Sequence, residues 1–515
     1  MDTFQWILML LVGAVGLTAL ARRINVPYPS LLALGGAALA LLPTAPRLTL
    51  DPELTLALFV APVLLDAAFA TSVRDLRANW IAVTSLVLAA VGITTAAVAL
   101  IVHAAVPEMP WAAAVALGAI VAPPDAAAAT AVLKQVRLPH RLLVILEGES
   151  LLNDASALLI YRIAVVAVMS HGLETTTAMP LALLALIASV FVGFGLARLY
   201  IRLALGVADV PSSIVLQFVG TFGVWILAEQ LRLSPIVTVV VYAITLARAT
   251  PRLTPARHRI PSSAVWELAV FVLNVLAFVL IGLQLRPILG QLEPRERIAY
   301  LGIAALVLAI VIVARFVWAY SYTALAHVKL RWLGPGRWPG NTPPSGRGAL
   351  VVSWCGMRGI VTLAAAYALP IDFPHRDLIL LTAFCAVVGT LVVQGLTLRP
   401  LILALCLQDD DPVQREFEMA NERLVRVGLA VVDGVRSPEA RVLRRELEWQ
   451  LTSHRDSRQD GEPLGHYDSL RARIVNAQRA ALLAMRSNGE IGDDAFHRIE
   501  AQLDVAELNA LGADA

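Results

Sequence analysis

The stretch EGESLLNDASALLIY, residues 147–161, lies inside an otherwise apolar run from Leu142 to Met169. It places three acids and an amide, Glu147, Glu149, Asn153 and Asp154, within eight positions. A run of this length crosses the hydrocarbon layer as one helix, so Asp154 falls near the middle of the bilayer. Ionisable groups at that depth are costly and usually mark an ion path or a proton relay. The stretch therefore predicts a membrane-embedded ion site.

The composition of the whole chain indicates an all-α polytopic membrane protein. Of its 515 residues, 58% are hydrophobic and 16% are charged, and the mean hydropathy is +0.71. These values are typical of a chain whose main solvent is lipid. We predict about 13 transmembrane helices, at residues 4–20, 28–44, 53–72, 80–105, 111–133, 142–169, 179–206, 211–230, 233–249, 264–287, 296–326, 347–370 and 377–405.

The basic residues between these spans predict the orientation of the chain. Seventeen Lys and Arg follow odd-numbered spans and six follow even-numbered spans. Because Lys and Arg accumulate in cytoplasmic loops, we expect the N-terminus outside and the C-terminal tail in the cytosol. The first span lacks a basic leader and a cleavage site, so we expect it to be retained. The expected location is a plasma membrane, the inner membrane of a bacterium.

The composition divides the chain into a transmembrane domain, residues 1–407, and a tail, residues 408–515. The tail has fourteen Arg, no Lys and twenty-one Asp and Glu, a formal charge of −7. Apolar residues recur there at helical spacing, interrupted by the polar residues 453–463, so we expect a helical cytosolic regulatory domain. It contains no metal-ligand, P-loop or Rossmann signature, and no cofactor is expected.

Spacing along the sixth span assigns its acids to different neighbours. Ser150 and Asp154 are one helical turn apart, whereas Glu149 and Asp154 differ by about 140° around the helix. Arg315 lies in the middle of the eleventh span and needs a buried partner. We predict that Glu149 supplies it, as a structural ion pair, and that Asp154 has another role.

Two spans are interrupted in a way that predicts broken helices. VAPPDAAAATAV, residues 121–132, contains Pro123 and Pro124, and VVSWCGMRGIVTLAAAY, residues 351–367, has two glycines flanking Arg358. Non-helical backbone at membrane depth occurs beside protein or a water-filled cavity and supplies carbonyl groups to bound ions. The interruptions are seven spans apart, as expected for inverted repeats of spans 1–6 and 8–13. Asp125 then lies at the crossing, where Arg358 neutralises helix C-terminal dipoles.

Together, EGESLLND, APPDAAAA and GMRGIVTLA resemble the motifs of the monovalent cation/proton antiporters of the sodium/proton exchanger family. The likeness covers about residues 5–405 and is greatest to the electroneutral branch with an Asn-Asp pair. It implies that Asp154 binds the transported metal cation or proton, that Asn153 replaces a second Asp of electrogenic relatives, and that Ser150 lies beside the ion. It also pairs Glu149 with Arg315. Pro124 stands where the family has Thr, which removes a side-chain ligand and leaves cation preference open.

The resulting expectation is a transporter, not an enzyme, that exchanges Na+ for H+ one for one and serves pH and cation homeostasis. K+ or Li+ remains an alternative cargo. An intramembrane hydrolase using Ser150 or Asp154 with Asp125 is a second alternative, with His103 as the only histidine in the spans. Membrane lipid and a second copy of the chain, in a homodimer, are the expected partners, and no nucleic acid is expected.

Overall fold

The computed structural model describes residues 2–43, 51–133, 138–170, 175–207, 209–254, 256–292, 296–333, 345–407, 412–433 and 437–460, with ten scattered positions after 460. All regular structure in these ranges is helical, which confirms the all-α class. The chain forms two compact units, Met1–Asp410 and Asp411–Ala515. The helices of the first unit are α1 Asp2–Arg23, α2 Tyr28–Ala40, α3 Pro52–Thr55, α4 Ala61–Ala70, α5 Val73–Ala78, α6 Trp80–Ser85, α7 Val91–Ala105, α8 Trp111–Val121, α9 Ala126–Leu133, α10 His140–Met169, α11 Thr175–Ala204, α12 Val210–Gln230, α13 Pro235–Leu253, α14 Ala256–Leu283, α15 Leu285–Gln291, α16 Arg297–Leu333, α17 Gly346–Trp354, α18 Ile360–Tyr367 and α19 Arg376–Leu405.

Each of the thirteen predicted segments coincides with one helix or with consecutive helices of this series. By length and hydropathy, eight helical stretches of the described chain can cross a membrane, and three shorter apolar helices accompany them. The chain is therefore a multi-pass membrane protein, while the count of thirteen stays a prediction. The tenth segment, residues 264–287, lies within one such stretch, His258–Gly290, which is interrupted after Leu283. Pro287 has no N–H to donate to the Leu283 carbonyl, so α15 starts as a separate helix.

Side-chain caps determine where several helices begin. Asp51 accepts a hydrogen bond from the N–H of Leu54 at 2.9 Å, and Asp209 accepts one from the N–H of Ser212 at 2.8 Å. These carboxylates satisfy N–H groups that lack a partner in the first helical turn. Both positions lie directly before an apolar run, so the polar-to-apolar change in the sequence coincides with the helix start.

Two π-helical segments, Leu56–Val60 and Leu86–Ala90, widen the third and fourth spans. The first precedes Pro62, which cannot donate to the carbonyl of Leu58, and this accounts for the wider turn. In the second, the carbonyl of Val87 accepts a hydrogen bond from Ser156 Oγ of α10 at 2.7 Å. The widened fourth span is thereby joined to the helix that carries Asp154.

Helices α2 and α14 touch through glycines. A Cβ atom on Gly36 would overlap the backbone carbonyl of Val279, and one on Gly282 would overlap the backbone of α2 at Ala33. Small residues of this kind let membrane helices approach until their backbones are in contact. The same helix, α14, also lines the site described below, and Tyr28 of α2 packs on two of its lining residues, Phe271 and Phe278.

The second unit begins with two helices, α20 Pro412–Val432 and α21 Pro438–Asp460. Arg444 of α21 donates to the carboxylate of Asp433, just after α20, at 2.8 Å. The polar stretch at 453–463 was expected to interrupt the helices, but α21 continues through it to Asp460. Arg455, Arg458 and Gln459 of this stretch are good helix formers, so polarity alone does not end a helix. The second helical part expected between Val475 and Leu508 lies almost wholly outside the described residues.

Candidate functional site

Two broken helices meet inside the transmembrane unit. Helices α8 and α9 are separated by residues 122–125, and α17 and α18 by residues 355–359. The backbone N–H of Asp125 in the first break donates to the carbonyl of Met357 in the second at 2.6 Å. The interrupted backbones therefore satisfy part of each other's hydrogen bonding, which apolar surroundings would otherwise make costly.

Arg358 occupies the crossing and is 1% exposed. Its Nε and Nη2 donate to the carbonyls of Val121 at 2.9 Å and Ala122 at 3.1 Å, and its Nη1 donates to the Gly356 carbonyl. Its own backbone N–H donates to Thr390 Oγ1 at 3.0 Å. The guanidinium thus lies on the carbonyls that end α8, where a positive charge offsets the helix dipole.

Asp125 lies at the opposite kind of helix end, immediately before the first residue of α9. Its carboxylate also packs on the backbone of Gly359, directly before α18, so closely that a Cβ atom at Gly359 would collide with it. A negative charge is favoured at the N-terminus of a helix. The crossing therefore places Arg358 at the C-terminal carbonyls of α8, and Asp125 at the N-termini of α9 and α18. Asp125 can lie so close to α18 because Gly359 has no side chain.

Asn153 links α10 to the break between α8 and α9 by a hydrogen bond. Its Nδ2 donates to the carbonyl of Pro124 at 2.8 Å, and its Oδ1 accepts from the N–H of Asp154 at 2.7 Å. Asn153 is fully buried, and Asp154 is 9% exposed. Pro124 therefore contributes a carbonyl group here, and Asn153 positions the next residue against the break.

Asp154, Asp125 and Ser150 line a small chamber of about 40 Å³. A water molecule or small cation needs a cavity of roughly 10–15 Å³, measured as the space open to the centre of a water-sized sphere. The chamber can therefore hold one. The rest of its wall is mainly apolar: Phe59, Val60, Val63, Leu64, Ala277, Phe278, Ile360 and Val361, with Asn274. A carboxylate in such a chamber can hold a proton or a cation, and the two compete for the same oxygens.

Glu149 lies on another face of α10 and forms a buried ion pair with Arg315 of α16. Nη1 and Nη2 of Arg315 contact the two carboxylate oxygens at 2.5 and 2.7 Å, and both side chains are at most 3% exposed. Arg315 Nε also donates to the carbonyl of Val352, near the end of α17, at 2.9 Å. The pair therefore links α10, α16 and the second broken helix.

A larger cavity of about 440 Å³ adjoins the chamber and shares part of its lining. Its lining includes Arg22 near the end of α1, Leu133 at the end of α9 and Glu147 in the first third of α10. These helix ends are the ones for which the distribution of basic residues predicts a cytoplasmic location. The structure thus brings Ser150, Asp125 and Pro124 to the wall of one cavity.

Three polar residues of this cavity, Asp66, Glu267 and Asn274, were not identified from the sequence as site residues. Asp66 is in α4, and the other two are in α14. The signal that could have found them is a polar side chain in a long apolar run, as for Asp154. Asn274 is the clearest example, because residues 268–283 contain no other side chain that can form hydrogen bonds.

Of the groups that the hydrolase alternative uses, Ser150, Asp125 and Asp154 line one chamber, whereas His103 lies away from it. The ring Nδ1 of His103 lies 2.9 Å from the carbonyl of Met109, and its ring packs against Trp111 at 4.1 Å between centroids. His103 is therefore engaged elsewhere and does not line the chamber of Ser150. Within the described ranges, no group of three or more His, Cys, Asp or Glu side chains is arranged to hold a resident metal ion.

Comparisons with known proteins agree with this architecture. The family model described as "Sodium/hydrogen exchanger, transmembrane" matches residues 7–404. An uncharacterized Na+/H+ exchanger of Mycobacterium tuberculosis is 30% identical, covering 98% of this chain and 96% of its own. A sodium, potassium, lithium and rubidium/H+ antiporter of Bacillus subtilis is 27% identical over 99% of this chain and 78% of its own. The solved sodium proton antiporter MjNhaP1 of Methanocaldococcus jannaschii shares the fold, with a TM-score of 0.60 and 17% identity over 79% of this chain and 99% of its own. The chain therefore belongs to the sodium/hydrogen exchanger family of transmembrane proteins.

Proposed function

We propose that the protein is a secondary transporter that exchanges a monovalent cation, foremost Na+, for H+. The observation that carries the proposal is the position of Asp154, a buried carboxylate in an ion-sized chamber beside the crossing of two broken helices. Family membership supports the class of reaction. The proposal gives Asp154 the role of the shared binding group, with Ser150, Asp125 and the amide of Asn153 shaping its surroundings.

The mechanism is competition at one carboxylate with alternating access. Asp154 binds either the cation or the proton, so release of one on a given side leaves the group ready for the other. In either loaded state the negative charge is neutralised, which lowers the cost of moving the site through a region of low dielectric constant. The empty site retains its charge and is costly to move, which couples the two fluxes.

The inventory of charges supports one-for-one, electroneutral exchange. Asn153 has an amide where a second acid would titrate, and it is already bound to the Pro124 carbonyl. Glu149 is held by Arg315 through two hydrogen bonds. Asp154 is then the group that exchanges its proton, and Asp125 is the next carboxylate that could take part.

A K+/H+ antiporter is the second candidate. The Bacillus subtilis relative is named for sodium, potassium, lithium and rubidium, and Pro124 of this chain offers a carbonyl instead of a side-chain ligand. We therefore expect Na+ to be transported, and we expect K+ and Li+ to compete with it as alternative transported cations.

The cellular setting is proposed from the same pattern. The protein would lie in the inner membrane of a bacterium as a homodimer in contact with lipid, with its N-terminus outside and its tail in the cytosol. There the exchange would serve pH and cation homeostasis. The acidic unit after residue 410 would regulate the exchange without performing it.

The test is proton movement in liposomes that contain the purified protein, driven in turn by Na+, Li+ and K+ gradients. Asp154→Asn should abolish cation-dependent proton movement while the protein remains folded, because an amide cannot exchange a proton. Transport by this variant at the wild-type rate would remove Asp154 from the mechanism. Transport of none of the three cations by wild-type protein would contradict the proposed function.

The stoichiometry is tested at the null-flux point, where opposing Na+ and pH gradients balance. A membrane potential contributes about 2.3 kcal/mol per charge per 100 mV. The null point should stay fixed when a K+ diffusion potential is imposed with valinomycin, provided that K+ is not itself transported. A null point that moves with voltage would show a second titrating acid, and Asp125→Asn would then identify whether it is Asp125.

A further inference from the structure

The large cavity and the chamber have four lining residues in common: Val63, Asp125, Ser150 and Asn274. These residues form the boundary between the two spaces, the passage that a cation from the cavity would cross to reach Asp154. Val63 is apolar, and Asp125 and Ser150 belong to the elements already described. Asn274 is the one polar group of this passage that α14 provides.

The face of α14 follows the path of the ion. Glu267, Val270, Phe271 and Asn274 line the large cavity, and Asn274, Ala277 and Phe278 line the chamber. Their spacing of three and four residues is that of one helical face. Asn274 stands where the two sets meet, and it is the only side chain able to form hydrogen bonds between residues 268 and 283. An amide in apolar surroundings is costly to keep unless it has a polar partner.

Building on the proposed function, we propose that the carboxamide oxygen of Asn274 is a ligand of the cation as it passes from the cavity to Asp154. An amide oxygen is a hard ligand that suits alkali cations. It carries no charge, so it adds a ligand without adding a titrating group and leaves one-for-one exchange intact. Ser150, on α10, is the corresponding hydroxyl ligand on the other wall of the passage.

This role predicts an effect on the cation rather than on the proton. A proton on Asp154 needs no further oxygen ligands, whereas a dehydrated cation does. Asn274→Leu, which keeps the volume and removes the oxygen, should raise the KM for Na+ by about tenfold or more, the value of one polar contact to a charged group. The maximal rate and the pH dependence at saturating Na+ should change far less.

The experiment compares full-length wild type, Asn274→Leu and Asn274→Asp in liposomes, with Thr245→Val as the matched control. Thr245 lies on α13 outside both cavities and bonds only locally in the helix, to the Val241 carbonyl at 2.7 Å. Thr245→Val also replaces a polar side chain in a span by an apolar one of similar volume. Asn274→Asp retains an oxygen at the passage and should hold the KM for Na+ at or below the wild-type value.

A second readout does not depend on transport. Na+ that binds the folded protein raises its melting temperature, beginning near the dissociation constant and continuing with the logarithm of the Na+ concentration. Asn274→Leu should shift the Na+ concentration at which this rise begins by the same factor as the KM, with no shift for Thr245→Val. If wild-type protein failed to exchange cations, the proposed function would fall, and this titration would still decide the role of Asn274. The same onset concentration for wild type and Asn274→Leu, or equal weakening by Leu and Asp, would overturn the assignment.

Discussion

Removing the guanidinium of Arg315 should destabilise the transmembrane unit more than any exposed substitution. In Arg315→Ala, the carboxylate of Glu149, which is 2% exposed in the wild type, loses both of its short hydrogen bonds. The Val352 carbonyl loses the donor Nε as well. The variant therefore leaves one buried charge and one buried carbonyl without the partner they have in the wild type.

The magnitude follows from these contacts. Breaking a buried ion pair by removing one partner costs about 3–5 kcal/mol, and the lost hydrogen bond to Val352 adds about 1 kcal/mol. With an unfolding entropy of roughly 2.1 cal/mol/K per residue, over the 410 residues of the first unit, the expected decrease in melting temperature is about 5–7 °C. Glu149→Gln combined with Arg315→Gln leaves no buried charge, so it should recover part of this loss.

The assay is thermal unfolding of the purified protein in one detergent, for both single variants and the double variant. Arg162→Ala is the matched control, because Arg162 is on the same helix as Glu149 but exposed, with a 3.4 Å contact to the Leu233 carbonyl. It should change the melting temperature by no more than about 1 °C. Equal melting temperatures for wild type and Arg315→Ala would refute the reasoning, as would a double variant less stable than both single ones.

Three further predictions follow from the fold. A chain ending at residue 411 should still insert and exchange ions, with an altered pH profile or apparent affinity; a correctly inserted truncation without any exchange would show that the tail is required. Gly359→Ala should lower both stability and exchange, because its methyl group overlaps the Asp125 carboxylate, whereas Gly302→Ala, with open space around it, should not. Asp75, in the loop helix α5, is partly buried, which raises its pKa, but hydrogen bonds from Ser72, His140 and Arg74 outweigh burial and hold that pKa below its usual value. The stabilisation by the Asp75 carboxylate is therefore present at neutral pH and lost as pH falls through the lowered pKa. In thermal unfolding experiments, the free energy of unfolding of Asp75→Asn should be lower than that of the wild type by up to about 1 kcal/mol at pH 7. The two should be equal in strong acid.

The features that the sequence predicts best are those that a short segment of the chain is sufficient to reveal. The acids of α10, the prolines of the first break and the buried Arg358 all stand out because lipid makes charges and broken backbone costly wherever they occur. Even the pairing of Glu149 with Arg315 can be predicted, since two opposite charges at membrane depth require each other.

Other features depend on neighbours that are distant in the chain. The contact of Gly36 with Gly282 requires knowing which helices are adjacent, and glycine is common in membrane helices. Asn274 carries no charge, so it costs less in lipid than an acid does and its signal in the sequence is weaker than that of Asp154. The π-helical turn at Val87 is recognised only through Ser156 of another helix. Sequence periodicity indicates a helix, but it does not show which backbone carbonyl will accept a hydrogen bond from a neighbouring helix.

The glycine contact between α2 and α14 also bears on how the protein can move. Two backbones that touch without intervening side chains cannot slide or rotate past each other without steric overlap, so α2 and α14 must behave as one rigid body. Asn274 belongs to that body, whereas Asp154 belongs to α10. Any change of access that separates these two residues must therefore move α10 relative to α2 and α14 together. The boundary between moving and stationary parts would then run through the passage of the ion itself, between the amide on one wall and the carboxylate on the other.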